Sequence, residues 1–262
     1  MRISEKHIKN QMAMFMANYA VCIVFAILFM NPNKDTFTTN LTNIAVTLGV
    51  ISGILYLVNF LLLKFNMNYN GIVLSSTFMK LGVLIPTIMA VVLFHETPTW
   101  TQILGIGLAL VAIVIIHFEK EAITEGNKKL WLLILSLASG ITDSMANIFE
   151  QVGTVESKDG YLLITFFAAF ILALVFALFG REKISKNDIL YGILIGIPNY
   201  FSARFLLQAL AHIDAVLVYP MYSVATIIVI TLVGIVVFRE AVSKRKLCAL
   251  GLIVLALGLL NT

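Results

Sequence analysis

The sequence predicts an all-α integral membrane protein with about nine transmembrane helices in two inverted-topology repeats. Of its 262 residues, 60% are apolar and only 12% are charged. A soluble domain has roughly 45–50% apolar and about 25% charged residues, so a soluble fold of this size could not bury so much apolar surface. The third observation is a similarity between the two halves of the chain, and it predicts the repeats.

Nine apolar runs are each long enough to cross a bilayer, which takes about 20 residues. Continuous runs such as 247–260 lack the alternation of barrel strands, so these spans are expected to be helices. No soluble domain is inserted between them. Spans A to I, in chain order, are 11–30, 43–63, 71–94, 99–118, 130–149, 161–179, 189–210, 214–238 and 246–260.

The distribution of Lys and Arg predicts the orientation in the cell membrane. The N-terminus and the loops after spans B, D, F and H hold 14 of these residues, whereas the other loops hold two. Cytoplasmic loops carry the excess of positive residues, so residues 1–10 are expected to be a cytoplasmic segment and the C-terminus to lie outside. The net charge of +4 is too diffuse to form a nucleic-acid-binding face.

The two halves of the chain resemble each other. A shift of 144 residues places spans C and D on spans H and I, and a shift of 143 places span B on span G. Residues 11–118 then form a first repeat of four helices and residues 130–262 a second repeat of five, in opposite orientation, as is typical of secondary transporters. The two recurring GxxxG motifs predict a symmetric crossing of spans B and G. The aligned pairs are Glu96 with Glu240, Gly107 with Gly251, Gly49 with Gly192, and Gly53 with Gly196.

One stretch carries a family resemblance. Residues Pro86 to Ile116 read P-x9-E-x8-G-x-G, and the segment from Glu240 to Gly251 repeats the end of this pattern. The stretch resembles the EamA-like families of the drug/metabolite transporter superfamily. This resemblance implies ten helices in two inverted five-helix repeats, so the first helix is expected to be missing before span A. The missing helix would come from an upstream start of the chain or from another chain, and assembly as a homo-oligomer is therefore kept as an alternative.

Polar residues inside five of the spans form the candidate substrate site. An unsatisfied polar group in hydrocarbon costs several kcal/mol, so these side chains must face protein or water. The plainer interpretation is that they join helices through hydrogen bonds. The candidates in spans B, C, E, G and H are Tyr56, Asn59, Ser76, Lys80, Asp143, Asn147, Tyr200, Arg204, Tyr219 and Tyr222.

The three charged candidates indicate what the solute carries. Lys80, Asp143 and Arg204 each cost on the order of 2.5–3.5 kcal/mol at mid-helix, and such residues mark solute or ion pathways. Two cations against one carboxylate favour an anionic or zwitterionic solute, and Arg suits carboxylate or phosphate. Three alternatives stay open: Asp143 pairs with either cation only to fix packing, Arg204 reaches outward to the membrane surface, or Asp143 carries a coupled proton.

The predicted function is a secondary transporter of small polar or amphipathic organic metabolites that works by alternating access of the two repeats. The sequence contains no HExxH, CxxC, GxSxG or P-loop motif, so it predicts no catalytic residues, no metal and no cofactor. Its expected partners are the lipid bilayer and a small-molecule substrate. Two alternatives are a lipid-carrier or accessory membrane protein and an N-terminally truncated, inactive transporter.

Overall fold

The computed structural model describes residues 8–30, 41–70, 72–117, 129–180, 182–236 and 244–260, and within these ranges it contains helices and no strand. This confirms the all-α prediction. A 3-10 turn, Val155–Ser157, precedes α7. The helices are α1 (Gln11–Phe29), α2 (Asn43–Asn70), α3 (Ile72–Leu81), α4 (Leu84–Val92), α5 (Trp100–His117), α6 (Lys129–Val152), α7 (Lys158–Phe179), α8 (Lys186–Leu210), α9 (Ala215–Val236) and α10 (Lys244–Leu260).

The helices match the predicted membrane spans. By length and composition, five helical segments in the described part of the chain can cross a membrane, and they lie in spans A, B, E, F and G. Four shorter apolar segments lie in spans C, D, H and I. The protein is therefore a multi-pass membrane protein.

The chain folds into two compact units, and each of them draws helices from both predicted repeats. Unit 1 contains Met1–Val58 and Ile148–Ala211, and unit 2 contains Asn59–Asn147 and His212–Thr262. The division into repeats at 11–118 and 130–262 stays a prediction.

In unit 1 the two GxxxG motifs bring helix backbones together, but the predicted crossing of spans B and G is wrong. A Cβ on Gly53 of α2 would lie 2.7 Å from the Cβ of Ala168 in α7. A Cβ on Gly192 of α8 would lie 2.6 Å from the Cβ of Ala17 in α1. The small-residue motif shows that a backbone approaches closely, but it does not identify which backbone.

The helices that the two motifs contact in unit 1 nonetheless correspond to each other in the predicted alignment of the repeats. Spans A and F correspond, as do B and G, and the motif in B packs on F while the motif in G packs on A. Each motif therefore packs on the first matched helix of the other predicted repeat.

In unit 2, α10 packs along α5, so spans D and I are neighbours. A Cβ on Gly105 would lie 3.1 Å from the carbonyl oxygen of Ala256 and 3.0 Å from the side chain of Leu260. By contrast, the aligned pair Gly107 and Gly251 both face open space.

Candidate functional site

Span C, predicted over 71–94 with a possible kink at Pro86, is interrupted in the middle. Helix α3 ends at Leu81 and α4 begins at Leu84. In a regular helix the carbonyl of Gly82 would accept a hydrogen bond from the N–H of residue 86, but Pro86 has no N–H. The Gly82 carbonyl accepts instead from the N–H of Ile85 at 2.9 Å. The N–H groups of Gly82, Val83 and Ile85 bond three residues back rather than four, so the break is one tightened turn inside a predicted membrane span. Discontinuous helices form the binding sites of many secondary transporters.

Helix α6 crosses span C at this break. A Cβ on Gly82 would lie 2.8 Å from the carbonyl oxygen of Ser136 and 2.9 Å from the backbone nitrogen of Gly140. Only residues without a Cβ permit so close a backbone contact. The crossing therefore fixes which residues of α6 lie beside the end of α3.

The crossing places the charges of Lys80 and Asp143 near each other. Lys80 lies in the last turn of α3, two residues before Gly82, and Asp143 lies three residues after Gly140. The two side chains form no direct ion pair. Asp143 is exposed and Lys80 is half-buried, so neither is enclosed within the described part of the protein.

Helix α9 holds the backbone of α6 at the same point. The hydroxyl of Tyr219 donates to the main-chain carbonyl of Asp143 at 2.7 Å, and Tyr219 is only 2% exposed. Tyr222 follows on α9 and is 39% exposed. Tyr219 is thus a structural neighbour of the site, whereas Tyr222 offers a ring to solvent or solute.

Two amide side chains of unit 2 have buried polar atoms that lack a partner. Asn59 is 7% exposed and Asn147 is 2% exposed. The Oδ1 atom of Asn59 and the Nδ2 atom of Asn147 have no hydrogen-bond partner in the described part of the chain. Ser76, also in unit 2, is half-buried and has a partner of its own. The candidates Lys80, Asp143, Asn59, Asn147, Ser76, Tyr219 and Tyr222 all belong to unit 2.

The remaining candidates, Tyr56, Tyr200 and Arg204, belong to unit 1. Arg204 forms an ion pair of 3.0 Å with Asp159 in the first turn of α7. Its Nη1 atom also donates to the hydroxyl of Tyr200 at 2.8 Å, and its guanidinium lies 5.1 Å from the centre of the Phe29 ring. Arg204 is therefore neutralised by the carboxylate of Asp159, which lies just before the start of span F.

Sequence reasoning missed Asp159, because it considers only charges in the middle of spans and Asp159 precedes span F. It also missed the ion pair of 2.7 Å between Glu150 and Lys158 beside it. The signal was present in the sequence, because these residues lie at facing ends of consecutive spans.

A further anchor at the opposite end of unit 1 was also missed. The buried Asp188 accepts backbone N–H groups from Lys9 at 2.9 Å, Asn10 at 3.2 Å and Ser185 at 2.7 Å. Ser185 and Asp188 form a capping box at the start of α8, and the S-x-x-D spacing is its sequence signature. These contacts tie the start of α1 to the start of α8 and have a structural role.

Comparisons with known proteins agree with this architecture. Residues 2–118 match the model of the EamA-like transporter family, and residues 161–253 match that of the Small Multidrug Resistance protein family. An uncharacterized protein of Haemophilus influenzae is 25% identical over 241 residues, which cover 87% of this chain and 80% of that protein. A crystal structure of another protein is similar in fold, with a TM-score of 0.76 at 14% identity, covering 98% of this chain and 89% of that chain.

The two family matches fall one in each predicted repeat. Together with the apolar spans, they support a membrane transporter of the drug/metabolite type. The chain is thus similar to EamA-like transporters over residues 2–118 and to Small Multidrug Resistance proteins over residues 161–253, which is consistent with its resemblance to the drug/metabolite transporter superfamily.

Proposed function

We propose that this protein is a secondary transporter of small polar or amphipathic organic metabolites that carry one cationic and one anionic group. It moves them across the cytoplasmic membrane by alternating access of its two inverted repeats. The observation that carries the proposal is that the Gly82–Gly140 crossing sets Lys80 and Asp143 on neighbouring turns of two helices, where they form no direct ion pair.

The two opposite charges favour a zwitterion over a simple anion. Charged groups inside a membrane are costly unless they are paired. Because Asp159 already neutralises Arg204, one cation and one carboxylate remain, not two cations against one carboxylate. A solute that places its anionic group on Lys80 and its cationic group on Asp143 neutralises both charges at once.

The two asparagines support a polar solute rather than a lipid tail. A buried polar atom without a hydrogen bond costs about 1–3 kcal/mol. The free Oδ1 of Asn59 accepts a hydrogen bond and the free Nδ2 of Asn147 donates one. A hydroxyl, amide or water in the site satisfies both.

The discontinuous helix supports alternating access. A broken helix bends at its break with little loss of backbone hydrogen bonds, and binding sites of secondary transporters are formed at such breaks. Asp143 is the group we propose for proton coupling, because its exposed carboxylate can exchange a proton for the cationic group of the solute.

A thermal-shift screen of the purified protein tests the proposal. The panel contains zwitterionic, anionic, cationic and neutral metabolites, together with short-chain phospholipids. We expect zwitterions to raise the melting temperature of the wild type but not that of Lys80→Gln or Asp143→Asn. Stabilisation by phospholipids alone would instead favour the lipid-carrier alternative.

A further inference from the structure

Glu96 lies outside the site, at the C-terminal end of span C, and its carboxylate binds the start of α9. Its Oε1 atom accepts the N–H of Ala215 at 3.1 Å, and its Oε2 atom accepts the N–H of Val216 at 2.7 Å. The first N–H groups of a helix have no partner within the helix, and an anion is favourable there. One side chain thus satisfies two of these donors from a distant part of the chain.

The backbone around Glu96 is fixed as well. The N–H of Glu96 donates to the carbonyl of Ala90 at 3.1 Å, which closes the end of α4. His95, the preceding residue, has a φ of 58°, a conformation that is uncommon for residues other than glycine. The chain is therefore turned sharply just before Glu96, and this turn directs its carboxylate towards α9.

The start of α9 is connected to Asp143 through Tyr219. Tyr219 follows Val216 by three residues, so it lies about one helical turn further along α9. Its hydroxyl holds the main-chain carbonyl of Asp143 at 2.7 Å. The hydrogen bonds of Glu96 fix the first turn of α9, and the next turn carries the Tyr219 hydroxyl that bonds to α6.

We propose that Glu96 is a positioning residue for the Lys80–Asp143 site. By holding the first turn of α9, its carboxylate sets the place of the Tyr219 hydroxyl and hence the place of Asp143. The inference depends on the proposed function only in treating Asp143 as a site residue. Its test needs no solute, so its failure and the failure of the proposed function are distinguishable.

Hydrogen–deuterium exchange of the full-length protein in detergent gives the first readout. Glu96→Ala removes both acceptors, and Glu96→Gln retains one oxygen and keeps the test valid if the alanine variant does not fold. Losing a hydrogen bond costs about 1 kcal/mol, so we expect roughly fivefold faster exchange. The faster exchange should appear both in residues 215–222 and in residues 139–147 of α6, which Glu96 does not contact. Asp214→Asn removes an exposed negative charge beside the same helix end and should change neither segment.

A double variant distinguishes positioning from a local cap. Tyr219→Phe should speed exchange in residues 139–147 alone, and adding Glu96→Gln to it should not speed that segment further, because interactions in series are non-additive. If Glu96→Gln speeds exchange in α9 but leaves 139–147 at the wild-type rate, Glu96 is only a helix cap and the inference is wrong.

Infrared titration gives a signature that a purely structural role would not change. The Asp143 carboxyl band is identified by its loss in Asp143→Asn, and the charged group that the helix crossing places near it is Lys80. Because a displaced carboxyl group changes its distance from Lys80, we expect the midpoint to move in Glu96→Gln and to stay in place in Asp214→Asn. An unchanged midpoint in Glu96→Gln would also contradict the inference.

Discussion

Gly82 and Gly140 lie backbone to backbone where α6 crosses the break between α3 and α4. A Cβ on Gly82 would lie 2.9 Å from the nitrogen of Gly140, so neither residue has room for a side chain. This one contact sets Lys80 and Asp143 at neighbouring positions, because Lys80 precedes Gly82 by two residues and Asp143 follows Gly140 by three.

Replacement of Gly140 by alanine should therefore destabilise the protein. The new Cβ would meet the carbonyl oxygen of Gly82 and the side chain of Ile85, and overpacking costs about 1–3 kcal/mol. Thermal unfolding in detergent should show a lower melting temperature for Gly140→Ala. Gly107→Ala is the matched control, since nothing lies within 4 Å of its Cβ position and alanine favours a helix by about 0.5–1 kcal/mol. Equal melting temperatures for the two variants would contradict the crossing.

The hydropathy of the sequence was sufficient to predict the spans, because each span must present about 20 apolar residues to lipid. The break in span C was only partly predictable. Pro86 indicates a kink, but Pro198 and Pro220 lie inside the continuous helices α8 and α9. What distinguishes span C is Gly82 four residues before the proline, together with the crossing helix that contacts it.

The partners of the small residues could not be predicted from the sequence. Gly53 and Gly192 belong to GxxxG motifs that lie at matched positions, and the direct inference is that the two motifs meet each other. In the structure they contact Ala168 and Ala17 instead. Packing partners depend on how the helices assemble, and the pattern of one helix does not contain that information.

The charged residues show the same limit of prediction from sequence. Lys80 and Asp143 were identified because mid-span charges are costly. Asp159 was not, because a charge at a span end is common, and only the structure shows that it neutralises Arg204.

The Arg204–Asp159 pair should contribute modestly to stability. Its side chains are 21% and 27% exposed, and ion pairs with access to solvent are worth at most about 1 kcal/mol. We expect Asp159→Asn to lower the free energy of unfolding by about this amount, and the double variant Arg204→Gln/Asp159→Asn to be no less stable than Arg204→Gln alone. Glu156→Gln, an exposed carboxylate nearby, is the control. Fully additive effects of the two substitutions would show that the pair does not act as a unit.

The orientation of the chain is open to a simple test. The 14-to-2 distribution of positive residues predicts a cytoplasmic N-terminus, and an odd number of spans then places the C-terminus outside. A C-terminal reporter that is active only in the cytoplasm should be silent, and the same reporter inserted after residue 124 should be active. Strong activity of the C-terminal fusion would overturn either the orientation or the number of spans.

Asp143 should carry the pH dependence of transport. If it exchanges a proton with the solute, uptake into proteoliposomes should depend on a pH gradient in the wild type, and Asp143→Asn should abolish this dependence. Ser139→Ala, at a buried position one turn earlier on α6, should leave the dependence intact. An active Asp143→Asn protein with the wild-type pH dependence would leave Asp143 a structural role only.

The most direct test of the charge-pair site measures binding of a zwitterionic stabiliser identified by thermal shift to the wild type, Lys80→Gln and Ser75→Ala. A cation at low dielectric has few substitutes, so we expect Lys80→Gln to weaken binding at least about tenfold, which corresponds to about 1.4 kcal/mol. Ser75→Ala, a buried residue of the same helix, should stay within about twofold of the wild type. Equal affinities for all three proteins would contradict a solute site at Lys80 and Asp143.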